Sequence, residues 1–341
     1  MKRNLPKFVL WSLMMLMASL VFASGGSEDD VVLRVFSADS FSSEWGPGPA
    51  IAEAFFEETG IQVEFESPGD TVTVLNQLIL EGGETRADVV MGPDNGMLKR
   101  VLEAGILSPY ASPVLADVPQ ELILDESFHL LPYDFGQFAI CYDSESGVRV
   151  PTSLEDLTSP EYEDSLILMD PRTSSPGLGF LLWTVAAYGE EWPAYWERLQ
   201  PSILTVTDGW SQGYSMFTTG EAPLVLSYGT SPAYHAEYEE STRYLAAEFS
   251  QGHMTQIEGM GILAGTEHRE EAEAFIDFVL SPAAQEMLAL YNIMNPVNST
   301  VELPASFDVA IRPSILEFPG GAPSDEENDA LIQTWIESFA P

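Results

Sequence analysis

The feature that most constrains this chain is a repeated alternation. A short run of aliphatic and β-branched residues is followed by a glycine- or proline-rich loop and then by a stretch with helical spacing. Val31 to Phe36 reads as a strand, and Pro49 opens a helix through Ala50, Ile51, Ala54, Phe55 and Phe56 that stops at Gly60. Ile61 to Phe65 alternates as a second strand, and Thr73 to Gly82 carries Leu75, Leu78 and Leu80 on a second helix. Asp88 to Met91 is a short buried strand ending in a Gly-Pro-Asp-Asn-Gly loop, with Met97, Leu98, Val101 and Leu102 on the helix beyond. Parallel strands need a crossover, usually a helix, to connect them, so this alternation predicts an α/β fold with a parallel-type sheet. Ligands of such sheets bind in the loops at the carboxyl ends of the strands.

At 341 residues the chain exceeds one ordinary core. The long extended segment Leu130 to Asp143, with Gly136 at its middle, reads as a crossing from a first domain to a second, and Gln256 to Leu263 reads as the return. The expected lobes are residues 31–132 with 256–341, whose C-terminal helices pack back on the first lobe, and residues 133–255. Residues 1–23 read as a signal peptide: Lys2, Arg3 and Lys7 precede the apolar run Phe8 to Leu20, and Val21-Phe22-Ala23 offers a cleavage site near Ala23. Residues 24–30 are a polar leader. No cysteine stands there to carry a lipid, so an exported, released protein is expected. The lone cysteine, Cys141, has no partner for an intrachain disulfide, so the fold must rest on its apolar core.

Removing the signal takes the formal net charge from −40 to −43 and leaves Lys99 as the only lysine. Phosphate polyanions and anionic membranes would be repelled, which argues against nucleic acid or a lipid surface as partner. Acidity on this scale suits saline surroundings, where screening relieves self-repulsion. With four histidines, one cysteine and no metal-binding motif, no metal site is expected.

Three strands of the second lobe end in polar-aromatic loops. Leu166 to Met169 leads into Asp170-Pro171-Arg172-Thr173-Ser174-Ser175-Pro176-Gly177, where Ser174 or Ser175 caps a helix and Pro176 takes its first position. The bare amides of such a turn can receive an anion or a polar ligand tip. Ile203 to Thr207 ends at Asp208-Gly209-Trp210, and Leu224 to Ser227 ends at Tyr228, with Tyr234 close behind. Flat rings on one rim suit a flat cationic ligand, by stacking and by cation–π attraction. The run Gly209-Trp210-Ser211-Gln212-Gly213 also matches the G-x-S-x-G elbow of hydrolases, with Ser211 as nucleophile and His253 or His268 as base. No glycine-rich oxyanion motif precedes it and no third acid stands out.

Beyond these patterns the chain resembles the periplasmic thiamine-binding proteins, the substrate-binding components of thiamine ABC transporters. The resemblance runs from Val35 to about Phe318. Its blocks include Asp39-Ser40-Phe41 with Trp45-Gly46-Pro47-Gly48-Pro49, Pro132-Tyr133-Asp134-Phe135-Gly136, Pro176-Gly177-Leu178-Gly179, Gly209-Trp210-Ser211 and Thr230-Ser231-Pro232-Ala233-Tyr234-His235. It implies a two-lobed, type II-like periplasmic-binding-protein fold with two crossing strands and a ligand cleft that closes by hinge motion. It also implies a protein that is not an enzyme and needs no cofactor, and a monomer is expected because no exposed apolar stripe argues against one. Such a protein captures thiamine and its mono- and diphosphate in the periplasm for an ABC permease. The family's ligand positions carry over to Asp70, Thr71, Ser174, Ser175, Trp210, Tyr228, Gly229, Thr230 and Ser231, with Tyr234 nearby. Two aromatics of the family pattern are replaced here, by Ala38 and Ile293, and Tyr291 stands near enough that a shifted loop would supply a ring. Another cationic ligand, such as a polyamine or a related pyrimidine, is the alternative within binding proteins; a serine hydrolase using Ser211 is the alternative outside them.

Overall fold

The computed structural model describes residues 31–339, so the expected signal peptide and leader lie outside the described residues. The first lobe begins β1 (Val32–Phe36), α1 (Asp39–Ser42), α2 (Pro47–Thr59), β2 (Gln62–Glu66), α3 (Thr71–Glu81), β3 (Val89–Asp94), α4 (Leu98–Ala104) and β4 (Leu107–Ser108). The chain then enters β5 (Leu131–Asp143). The second lobe follows with β6 (Leu166–Met169), α5 (Ser175–Tyr188), α6 (Trp192–Leu199), β7 (Ile203–Thr207), α7 (Trp210–Thr218), β8 (Leu224–Tyr228), α8 (Pro232–Tyr238) and β9 (Tyr244–Ala247). β10 (Thr255–Leu263) returns to the first lobe, followed by α9 (Arg269–Leu280), α10 (Pro282–Met287), β11 (Asn295–Pro296) and the final α11 (Asp325–Phe339).

In the first lobe β2, β1 and β3 run parallel, as the alternation requires, and β10 joins β3 antiparallel. β5 serves both lobes. Its first half, Leu131 to Gln137, pairs with β10, and its second half, Phe138 to Tyr142, pairs with β8. β6 is parallel to both β7 and β8. The expected crossing strand is therefore continuous. Its central glycine has a local cause: a Cβ on Gly136 would lie 2.9 Å from Met294 Cε. Cys141 sits in the second half of β5, 1 % exposed.

Apolar faces set the layers. Leu33, Val35 and Met260 on one side of the first sheet pack against Ile51, Phe55, Phe275 and Val279 of α2 and α9. The other side, with Leu75 and Leu78 of α3 and Val101 of α4, is continuous with the core of the second lobe around Leu182, Trp183, Trp196 and Leu226. α5 is apolar around its whole circumference and is buried from Ser175 to Thr184, as a helix at the centre of a lobe must be. Two buried indoles of this core have their N–H groups satisfied, Trp183 Nε1 donating to Gly252 O at 3.1 Å and Trp196 Nε1 to Thr184 Oγ1 at 2.9 Å.

Several boundaries differ from the expectation. α2 opens at Pro47, two residues before Pro49, and Gly60 closes it in the left-handed region, φ 76°. β3 runs on through Gly92 and Pro93 to Asp94 instead of ending at Met91. Ser174 is the N-cap of α5 without a side-chain cap bond, which makes Pro176 the second helical residue. The larger correction is at the C-terminus. The segment near residues 311–316 crosses to the second lobe, where Ile311 N donates to Gly229 O and His253 N donates to Ser314 O. α11, expected to pack on the first lobe, lays Trp335 and Phe339 against Trp196 of α6. Its first turn stays tied to the first lobe, Arg100 Nε lying 3.0 Å from Asp325 Oδ1 and Asn328 donating to Gly96 O. The apolar face of α6 is covered by Trp335 and Phe339, so α11 spans the two lobes.

Candidate functional site

Strands of both lobes point their carboxyl ends at the space between them, so the helices that follow start there. The N-termini of α3, α5 and α7 converge on a cavity of about 380 Å³. That volume lies near the lower end of the roughly 300–1,000 Å³ typical of small-molecule sites.

Asp70 joins two of these helices. Its Oδ1 accepts the Thr71 N–H at 2.6 Å as the N-cap of α3, and its Oδ2 accepts the Trp210 N–H, the first amide of α7 in the other lobe, at 3.0 Å. One carboxylate thus caps two helices across the cleft, where two positive dipole ends favour it. Burial pushes its carboxyl above the usual range, against the Trp210 amide, the Ser174 hydroxyl and the Thr71 amide, which hold it down. The Ser174 hydroxyl lies beside Asp70 without completing a full hydrogen bond. Thr73 adds a second clasp, its N–H and hydroxyl both reaching Thr173 O, at 3.2 and 3.3 Å. The lobes are closed on each other.

The second lobe supplies an aromatic wall. Trp210 stacks on Tyr214 with centroids 4.8 Å apart and planes 21° from parallel, and Tyr214 lies over His235 in turn. Trp210 Nε1 donates to Ser227 Oγ at 2.9 Å, which is 2.7 Å from Ser231 Oγ. Tyr228 stacks on Phe138 of the crossing strand at 5.6 Å. Trp45 approaches Trp210 from the first lobe at 6.2 Å.

The first lobe and the crossing strands supply an acidic floor. Strand register sets Glu258 of β10 opposite Asp94 of β3 on one side and Asp134 of β5 on the other. Asn292 Nδ2 donates to Asp134 Oδ2 at 2.6 Å and lies 3.4 Å from Glu258 Oε2. Asp94 accepts from Gln256 Nε2 at 2.6 Å and from the Gly96 N–H at 2.8 Å. Burial pushes Asp94 up to about 6 and Asp134 up to about 7, and burial together with the Asp134 charge raises Glu258 well above the ordinary glutamate value. Among the described residues none of Asp70, Asp94, Asp134 or Glu258 is in an ion pair.

Of the residues expected from the sequence, Asp70, Thr71, Ser175, Trp210, Tyr228, Ser231 and Tyr234 line the cavity. Ser174 lies behind Ser175, fully buried. Gly229 and Thr230 face away: Gly229 bonds to Gln137 and Ile311, and Thr230 Oγ1 is directed at Met294 Sδ. Ala38, Ile293 and Tyr291 are all at the cavity, and Ile293 holds φ 56°, an uncommon conformation for a β-branched residue, just after a π-helical turn. Glu258, Asn292, Tyr214 and Met294 also line it and were not expected; no local motif marks them, since their placement depends on strand register and on a helix end. Ser211 lines the cavity too, but neither expected base reaches it. His253 is committed to Phe138 O and the Phe249 N–H, and His268 to Asp88 in the first lobe. The hydrolase constellation is not assembled.

The profile described as bacterial extracellular solute-binding protein matches residues 46–286. The thiamine-binding periplasmic protein of Brucella abortus is 41% identical over 283 residues, covering 82% of this chain and 84% of that one. Its counterpart from Escherichia coli K12 is 39% identical over 309 residues, covering 90% and 92%. A solved periplasmic thiamin binding protein superposes with a TM-score of 0.84 at 36% identity, covering 93% of this chain and 98% of that one. With its two lobes and the cleft between them, this chain belongs to the bacterial extracellular solute-binding proteins, in the branch that holds the periplasmic thiamine-binding proteins.

Proposed function

We propose that this protein captures thiamine in the periplasm and delivers it to an ABC importer, and that it also takes thiamine mono- and diphosphate. The observation that carries the reading is the pairing of a stacked aromatic wall with carboxylates that have no cationic partner, inside one closed cavity. Thiamine is a flat, two-ring cation. Trp210, Tyr228 and Tyr234 would take its rings, each good cation–π contact adding up to about 2 kcal/mol when desolvated. Asp70 and Glu258 would take its charge and its amino group. Ser175 and the free amides at the start of α5 would take the hydroxyethyl arm or its phosphate. Tyr291 stands at the cavity beside Ile293 and offers a ring where the family pattern has lost one. A polyamine would satisfy the carboxylates and leave the wall unused, so the wall favours the ringed ligand.

Isothermal calorimetry on the mature protein, freed of any co-purified ligand, tests this. Tight one-to-one binding of thiamine, with a polyamine producing little heat, is the expected result. Folded protein that gives no heat with any thiamine form would mean that Ala38 and Ile293 mark a different ligand.

A further inference from the structure

The row Asp94–Glu258–Asp134 sets like charges directly opposite one another on three adjacent strands, an arrangement that destabilises a sheet if every member is ionised. The groups facing Glu258 are Asp134 and Tyr133 from β5, Asp94 from β3 and the Asn292 amide from the turn after α10; Tyr228 of β8 faces the same charges. No cation is among them. Asn292 has one amide group for two carboxyls, and Asp134 Oδ1 is left buried without a donor. Asp134 has no exposure at all, whereas Glu258 opens on the ligand cavity. Glu258 and Asp134 face each other across the β5–β10 ladder and share the single Asn292 amide, so two charges there repel and one proton held between the two carboxyls relieves them.

We infer that Glu258 and Asp134 are a proton-sharing pair that fixes the charge specificity of the cavity, a cationic ligand being admitted in exchange for the shared proton. In the empty cavity the pair carries one O–H and one carboxylate. When a monocation enters beside Glu258, the O–H bond breaks, the proton leaves to solvent, and two carboxylates remain around one positive charge and the Asn292 amide. Net charge in the cavity is unchanged, and nothing is oxidised or reduced. A neutral ligand of the same shape leaves the proton in place and gains nothing from the exchange. The pair lies on β5 and β10, the strands that carry the hinge, so the charge of the cargo is read where the lobes turn. This inference rests on the reading of the cavity as a cation site.

Proton counting tests it on the unmodified mature protein. Thiamine is titrated by calorimetry at pH 6.5 in two buffers of different ionisation enthalpy, cacodylate and imidazole, and the affinity is followed from pH 7 to pH 5. Release of between half a proton and one proton is expected, with affinity falling by up to about tenfold per pH unit of acidification. Glu258→Gln, or Asp134→Asn if the first does not fold, is expected to abolish the release and flatten the pH dependence; protons exchanged by thiamine itself are common to all the proteins. Tight binding without proton release in the unmodified protein overturns the inference and leaves the proposed function standing. Absence of thiamine binding by folded, ligand-free protein overturns both.

Discussion

The aromatic wall and the acidic floor face the same cavity and are built on opposite principles. In the wall the polar handles of the central stack already have partners: Trp210 Nε1 is held by Ser227, and the Tyr214 hydroxyl lies 2.9 Å from His235 Nε2, whose other ring nitrogen is 2.7 Å from Glu239. Its rings are stacked before any ligand arrives, so little side-chain freedom remains to be lost on binding. In the floor a buried carboxylate oxygen has no donor, and three acids sit in register without a counter-ion among the described residues. The wall is finished and the floor is not. A ligand adds surface to the first and completes the second.

The contrast can be broken at its strongest point. Trp210→Ala removes the central ring and leaves Tyr214 uncovered; thiamine affinity is expected to drop by two orders of magnitude or more, about 3 kcal/mol, with the proton count unchanged. Calorimetry reads both, and a changed proton count with intact affinity would reverse the assignment of roles. Asp70→Asn keeps the size of the side chain but removes the charge that caps α3 and α7 together. An affinity loss of roughly tenfold is expected, and small-angle scattering should show a larger radius of gyration in the ligand-free protein; an unchanged radius would mean that Asp70 does not hold the lobes.

The floor is also a statement about stability. Burial raises Asp134 from 3.8 to about 7, so the folded state holds a proton that the unfolded chain has lost. Its contribution is fully present below about pH 4 and disappears as pH rises through 7. Ligand-free protein should therefore melt at lower temperature as pH increases over that range, and Asp134→Asn should flatten the decline, each 1 kcal/mol appearing as roughly 2–4 °C. A decline as steep in the variant as in the parent would place its cause elsewhere. The smallest effect concerns the thinned side of the wall. Ala38→Tyr should restore a ring at the cavity mouth and tighten thiamine binding by roughly three- to tenfold, about 1 kcal/mol; weaker binding would show that the space beside Ala38 is needed by the ligand.

The two regions also differ in how far they could be read from the chain. The wall was legible because Trp210 stands three residues beyond β7 and Tyr228 is the last residue of β8, and strand ends can be located from local pattern alone. Asp70 was named only through the resemblance, since local pattern placed it in a turn before a helix expected from Thr73, two residues later than α3 begins. The floor was not legible: Asp94, Asp134 and Glu258 become neighbours only through pairings of β10 with β3 and with β5 that each span more than 120 residues, and a register shift of one would turn Glu258 to the other face. Long-range packing hid two further points. Gly229 and Thr230 belong to the same aromatic run as Tyr228 yet turn to Ile311 and Met294, and the apolar face of α6 that draws α11 onto the second lobe lies more than 120 residues before it.

The lone thiol on the crossing strand has a practical meaning for watching the hinge. Burial pushes Cys141 up to about 12, so almost no thiolate exists at neutral pH and maleimide reagents have neither access nor a nucleophile. Cysteines introduced at exposed Glu57 of α2 and Glu197 of α6 would then be the reactive ones, one on each lobe, with no native cysteine to remove. A fluorophore pair at those positions would turn the opening and closing of the cleft into a distance recorded molecule by molecule.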